Sequence, residues 1–181
     1  GLFIKNNTLF ISNNNTLGNG GVGIRKPHLG NIALDLELPN GTNKTIGAFE
    51  CKETNEIYFF NYNSEKNHHI GLINDRSEAK IVARTDCFAF SDSAEYSIPE
   101  HNVYLKVVYS IGENGDRVIR EKMLLFTDGL GQQKQVNVIA SLATDTFRSP
   151  YFRNGYGDIG CSYISYATIF PYKRPEFILK K

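Results

Sequence analysis

The sequence predicts an all-β fold made of antiparallel hairpins. Short runs rich in Tyr, Phe, Ile and Val alternate with polar turns along much of the chain, which is typical of strands. An Asn-Gly pair separates two long β-patterned runs, the signal expected of a tight hairpin. Only residues 136–147, "VNVIASLATDTF", are compatible with a short helix, and Thr144 and Thr146 disfavour one.

The first part of the chain is predicted to be an arm. Residues 6–23 are dominated by Asn, Gly and Thr, with "NNN" and "GNGG" among them. These residues favour turns and irregular backbone. Residues 1–37 are therefore expected to form an Asn/Gly-rich N-terminal arm or an irregular hairpin.

Strands are predicted from residue 45 onward. The runs "TIGAFECK", "NEIYFFNYN" and "HHIGLIND" are separated by the short polar stretches 53–55 and 64–66. Three antiparallel strands joined by tight loops account for this pattern. "KIVART" then predicts a further short strand.

A long hairpin is predicted next. "VYLKVVYSI" and "RVIREKMLLF" are both β-patterned, and Asn114 and Gly115 lie between them. An Asn-Gly pair tolerates the positive φ angles that tight hairpin turns require. We therefore expect Asn114 and Gly115 to form the turn.

Asp128 and Gly129 mark a second turn, inside "LLFTDGLGQQKQVNV". A short carboxylate accepts hydrogen bonds from the backbone N–H groups of a following turn, and glycine adopts conformations that other residues resist. We interpret Asp128 as a structural turn residue, since no second carboxylate or histidine partner is indicated. Residues 57–73 and 124–139 resemble two copies of one hairpin unit.

Composition excludes several classes of protein. The 181 residues are 41% hydrophobic and 22% charged with a net charge of +1, so neither disorder nor general attraction to nucleic acid is indicated. No apolar run is long enough for a transmembrane helix. No specific nucleic-acid binding and no membrane span are expected.

No catalytic, metal-binding or cofactor-binding residues are predicted, so an enzyme is not expected. His68 and His69 are adjacent on a strand and point to opposite faces, so they cannot chelate one metal; we expect them at the surface or a strand edge. The spacing of Asp86 and Asp92 fits no calcium loop. The three cysteines match no zinc motif and are expected to be reduced.

Several segments resemble one protein family. "LPNGTNKTIGAFECKETNEIYFFNYNSEKNHHIGLI" (38–73) is similar to the muzzle or stabilization proteins of crAss-like bacteriophage tails, in which "GTNKVIG", "IYYFNYN" and "H-x-I" open a β-propeller-like region. "LLFTDGLGQQKQVNV", "ATDTFRSPYF" and "YISYATIFPYKRPEFIL" resemble later family segments in the same order. Together these segments cover most of residues 38–179. Phe126 stands where the family usually has Trp.

The resemblance implies a partial β-propeller-like domain over residues 38–152, followed by an extended C-terminal strap over 153–181. It further implies a structural virion protein near the DNA exit channel of the tail, made in the bacterial host cytoplasm. Such a protein acts through interfaces with copies of itself and other phage tail proteins. No catalytic residue is carried over.

The strap contains aromatic residues and prolines that suit an extended segment lying on a neighbouring subunit. The candidate interface residues are Tyr163, Tyr166, Phe170, Pro171, Tyr172, Pro175 and Phe177. Two alternatives stay open. One is a carbohydrate-binding or glycan-processing β-protein of the host-contact apparatus, and the other is an extracellular domain that uses the glycosylation motifs at Asn6, Asn14, Asn40 and Asn43.

Overall fold

The computed structural model describes residues 2–12, 31–128 and 133–142. Within them lie ten strands, one 3-10 turn and one short helix. In chain order they are β1 (Leu2–Lys5), β2 (Thr8–Ser12), β3 (Asn31–Ala33), β4 (Asn43–Cys51), β5 (Glu56–Asn63), β6 (His68–Ile73), β7 (Ala79–Thr85), the 3-10 turn (Glu100–Asn102), β8 (Val103–Ile111), β9 (Arg117–Phe126), β10 (Lys134–Asn137) and α1 (Val138–Leu142). The prediction of an all-β fold is confirmed.

The strands form three open antiparallel sheets. Sheet A has the order β1-β2-β3, sheet B the order β4-β5-β6-β7, and sheet C the order β10-β9-β8. Each strand pairs with its neighbour in sequence, so every sheet is a meander of hairpins. The sheets follow one another along the chain, and none closes into a barrel.

Sheet B is the middle layer, because both of its faces are buried. Successive residues of a strand point to opposite faces. Accordingly, Tyr58 and Phe60 of β5 join the core between sheets B and C, whereas Phe59 joins the core between sheets A and B. All six residues of β6 are buried, a pattern expected of a strand covered on both sides.

Aromatic side chains fill the core between sheets B and C. The rings of Phe60 and Phe126 lie 5.1 Å apart, and those of Phe88 and Phe126 lie 5.6 Å apart. Phe88 and Phe90, from the loop after β7, stack at 4.9 Å. Such ring pairs add stability beyond the apolar area they bury. The loop is therefore an integral part of this core.

The core between sheets A and B is smaller. Leu9 of β2 and Leu34, just after β3, pack against Phe59 and Ile73 of sheet B. The Phe59 ring covers Gly71 of the neighbouring strand, and a Cβ atom at residue 71 would lie 2.0 Å from Phe59 Cζ. A larger residue at 71 would therefore displace the ring.

The N-terminal residues form an ordered hairpin where they are described. Asn6 and Asn7 have φ angles of 50° and 57° and connect β1 to β2. Asparagine tolerates this left-handed region, and two such residues make the turn that matches the twist of paired strands. The composition of residues 1–37 predicts an arm or an irregular hairpin; in the structure, the β1–β2 hairpin packs on sheet B.

The turn of the β8–β9 hairpin differs in detail from the prediction. Asn114 and Gly115 lie in the turn, but only Gly115 has a positive φ, 82°. Gly112 and Asp116 flank the turn, and Gly112 N donates to Asp116 O at 2.8 Å. The loop is thus longer than the two-residue connection that an Asn-Gly pair commonly makes.

The described residues contain no helix long and apolar enough to cross a bilayer. The one α-helix, α1, spans five residues, and Asn137 caps it by accepting a hydrogen bond from Ala140 N at 3.0 Å. A polar side chain at this position satisfies a backbone N–H group that the helix itself leaves unpaired.

Candidate functional site

The polar side chains of the described residues form structural networks. Among residues 2–12, 31–128 and 133–142, no group of three or more His, Cys, Asp or Glu side chains is arranged to hold a metal ion. The buried polar residues instead bond to loops and to neighbouring sheets. These networks hold loops and sheets together.

Asp128 holds three segments together. Its carboxylate accepts a hydrogen bond from Ala89 N at 3.2 Å and forms an ion pair with Lys134 of β10. Its backbone carbonyl accepts a hydrogen bond from the Tyr96 hydroxyl at 2.8 Å. The Asp128 side chain is fully buried, so this carboxylate fastens the loop after β7 to sheet C.

The environment of Asp128 also affects Tyr96. Burial, together with the nearby Asp128 charge, raises the pKa of Tyr96 to about 12. The phenol therefore stays protonated and donates its hydrogen bond at neutral pH. Of the other predicted turn residues, Gly129 lies outside the described residues.

The seven predicted interface residues also lie outside the described part of the chain. They are Tyr163, Tyr166, Phe170, Pro171, Tyr172, Pro175 and Phe177. The structure therefore brings none of them to a described surface, and their role stays a prediction.

A second network connects sheets B and C. Glu56 of β5 accepts hydrogen bonds from the hydroxyls of Thr54 at 2.7 Å and Tyr58 at 2.9 Å. Lys122 Nζ of β9 lies 2.5 Å from Glu56 Oε1. Burial and the adjacent carboxylate raise the pKa of Tyr58. Sequence reasoning missed this pair, because its members are far apart in the chain.

His68 and His69 point to opposite faces of β6, but both are buried, so the expected surface or strand-edge location is wrong. β6 is an inner strand of sheet B, covered by sheet C on one face and sheet A on the other. His68 Nδ1 accepts a hydrogen bond from Asn63 N at 3.1 Å. This contact places the proton of neutral His68 on Nε2.

His69 has one ring nitrogen without a hydrogen bond. Its Nδ1 lies 3.2 Å from Asn67 O, while its Nε2 has no hydrogen-bond partner. The first contact requires a proton on Nδ1, so Nε2 is the unprotonated atom. Burial lowers the pKa of His69 to about 4. The ring is therefore neutral at pH 7.

The expectation of three reduced cysteines is wrong for Cys87, and Cys161 lies outside the described residues. Cys51 is a buried free thiol, but Cys87 is disulfide-bonded. Cys87 Sγ also lies 3.3 Å from Asp86 Oδ1. Since a disulfide sulfur carries no proton, we treat this approach as a contact and not as a hydrogen bond.

The exposed apolar surface lies on the β8–β9 hairpin. Tyr104 is 61% exposed and Ile111 is 78% exposed, at opposite ends of β8. The distal half of the hairpin is fixed by polar contacts: the Tyr109 hydroxyl donates to Glu53 at 2.6 Å, and the Arg117 guanidinium lies 3.9 Å from the centre of the Tyr109 ring. This surface is the best candidate for interaction with a partner.

Sequence reasoning did not single out this surface. The β pattern identified β8 as a strand, but it did not show that the strand lies at the edge of its sheet. No family model, no curated protein and no solved structure matches the chain.

Proposed function

We propose that this chain is a structural virion protein of a phage tail, a muzzle or stabilization component near the DNA exit channel that acts through subunit interfaces. The ordered series of motifs in residues 38–179 motivates the proposal. One structural observation supports it most directly: three meander sheets follow one another in chain order and stack through both faces of sheet B.

Such a stack resembles consecutive blades of a β-propeller, in which antiparallel sheets pack face to face around an axis. We propose that sheets A, B and C are a partial propeller-like arrangement. A series of three blades does not close by itself, because propellers usually have four or more blades. Further subunits or other tail proteins would then complete the assembly.

The state of the cysteines supports a location on a particle. Disulfide bonds persist on virion and cell surfaces and are rare in the reducing cytosol. Cys87 is disulfide-bonded although the proposed protein is made in the bacterial cytoplasm. The bond would then form after the particle leaves the cell.

The polar networks are also consistent with a static role. The Asp128 carboxylate is engaged by Ala89 and Lys134 from other segments. Glu56 is engaged by two nearby hydroxyls and by Lys122 of sheet C. A carboxylate fixed in this way stabilises an interface between elements and is poorly placed to take part in proton transfer. We therefore assign Asp128 and Glu56 a structural role.

The test is mass spectrometry of purified virions combined with cryo-electron microscopy of the same particles. We expect peptides from this chain in the particle and density matching sheets A, B and C in a ring at the end of the tail. A particle that lacks the chain, with the protein found only in the lysate, would contradict the proposal.

A further inference from the structure

Within the described part of the chain, the outer edge of β8 pairs with no other strand. β8 is the last strand of sheet C and pairs only with β9. Among the described residues, no other backbone hydrogen bond reaches this edge. The strand is nine residues long, "VYLKVVYSI", and contains no proline and one charged residue, Lys106. Long edge strands with few charges readily pair with other chains.

We propose that the edge of β8 pairs antiparallel with β8 of a second copy of this chain, across a two-fold axis at Val107. The pairing would join two copies of sheet C into one continuous sheet. The inference goes beyond the proposed function, because a two-fold contact joins two copies and does not by itself build a ring.

The register follows from the alternation of side chains. Val103 and Leu105 of β8 face the core, while Tyr104 and Lys106 face outward. Opposing residues of an antiparallel pair share a face, so core-facing residues must meet core-facing residues. Centring the pair on Val107 satisfies this condition and uses all nine residues of the strand.

The opposing residues in this register are compatible. Val103 meets the partner's Ile111, and Leu105 meets the partner's Tyr109, on the core side. On the outer side, Tyr104 meets the partner's Ser110. Pairs of aromatic and aliphatic residues stabilise antiparallel sheets. The contact also covers Ile111, which is 78% exposed in one copy.

Charge complementarity favours a second copy as the occupant. Lys106 meets the partner's Val108, so no like charges are directly opposed. Val108 is itself paired with Glu121 of β9. Lys106 therefore lies in one row with the partner's Glu121, and the two long side chains can approach each other over Val108.

The first experiment is cysteine crosslinking in the purified full chain. In the Tyr104→Cys/Ser110→Cys double variant, mild oxidation should give covalent dimers on a non-reducing gel, because each new cysteine lies opposite the other type in the second copy. The matched control, Tyr104→Cys/Val118→Cys, moves one cysteine from β8 to β9, one strand away from the proposed contact, and should give no such dimers.

The second experiment is analytical ultracentrifugation. The unmodified chain should sediment as a monomer–dimer equilibrium. Ile111→Lys places a charge against the partner's Val103 and should weaken dimerization about tenfold or more. Val118→Lys adds the same charge to the same hairpin one strand away from the edge, and it should leave the equilibrium unchanged.

Two results would overturn the proposal: a chain that remains monomeric at all accessible concentrations, or a dimer that forms no Tyr104→Cys/Ser110→Cys crosslink. The solution experiments do not depend on the virion. Pairing without virion association would refute the proposed function alone, whereas a tail-bound chain without pairing would refute this interface alone.

Discussion

At the residue scale, buried polar groups distinguish this chain. Asp128 and His69 are both almost fully buried, yet Asp128 has a cation and a backbone donor whereas His69 Nε2 has no partner. The sequence predicted a structural role for Asp128 from its position in a turn. The long-range contact with Ala89 was not predictable, because it depends on how the loop after β7 packs on sheet C.

Replacing Asp128 with Asn should destabilise the fold. The largely covered ammonium of Lys134 would lose its counter-charge, and we expect the free energy of unfolding to fall by about 3 kcal/mol. Urea denaturation followed by circular dichroism measures this change. Asp116→Asn, at the exposed hairpin turn, should change stability by less than about 0.5 kcal/mol. Equal effects of the two substitutions would contradict the role of Asp128.

His69 should make stability depend on pH. Its pKa is about 4 in the folded chain against an ordinary value near 6.5 in the unfolded chain. The unfolded state therefore binds more protons between these values, so stability is complete above pH 6.5 and falls by up to about 1.4 kcal/mol per pH unit as pH decreases toward 4.

The variant His69→Phe tests this assignment by urea denaturation at several pH values. It should flatten the pH dependence between pH 6.5 and 4. Some dependence should remain, because burial also lowers the pKa of His68. His101→Gln changes an exposed histidine and serves as the control. An unchanged slope in His69→Phe would assign the pH dependence to other groups.

At the element scale, strands were the most predictable feature. The segments that form β4 to β9 either alternate apolar and polar residues or contain short apolar runs, and turn residues bound them. Both patterns can be recognised within a few residues of sequence. The burial of β6 was not predictable, since "HHIGLI" contains two polar side chains. Coverage of a strand on both faces depends on which sheets stack against it, and that information is distributed over the chain.

The β8–β9 turn provides a test at this scale. Gly115→Ala should lower the free energy of unfolding by about 1 kcal/mol, because Gly115 has a φ of +82° that alanine adopts at a cost. A Cβ atom there would meet no neighbour within 4 Å. The expected loss of stability therefore comes from the backbone conformation and not from a steric clash. Gly115→Asn should cost less, because asparagine tolerates positive φ. Equal losses in the two variants would point to another cause.

At the scale of the whole molecule, the order of the sheets along the chain equals their order in space. Sheet A packs on one face of sheet B and sheet C on the other. The hairpins were predicted from the sequence, but their assignment to three sheets was not, since a meander can continue or break at any loop. The Glu56–Lys122 pair, between sheets B and C, was likewise not predictable from the sequence.

Lys122→Met tests how strongly this pair joins the sheets. Glu56 would keep its two hydroxyl donors but lose its cation in a largely buried site, and we expect a loss of about 2 kcal/mol in the free energy of unfolding. Thermal and urea denaturation measure it. Lys80→Met, at an exposed position of β7, should be nearly neutral; a similar loss in both variants would show that the pairing with Glu56 is unimportant.

The sequential stacking of the sheets also determines how the chain can fold during synthesis. All four strands of sheet B pair with their neighbours in sequence, so sheet B can form as soon as residues 43–85 leave the ribosome. Its aromatic face, with Tyr58 and Phe60, then stays uncovered until β8 and β9 have been made. Chains that terminate within this interval are the ones most prone to aggregate.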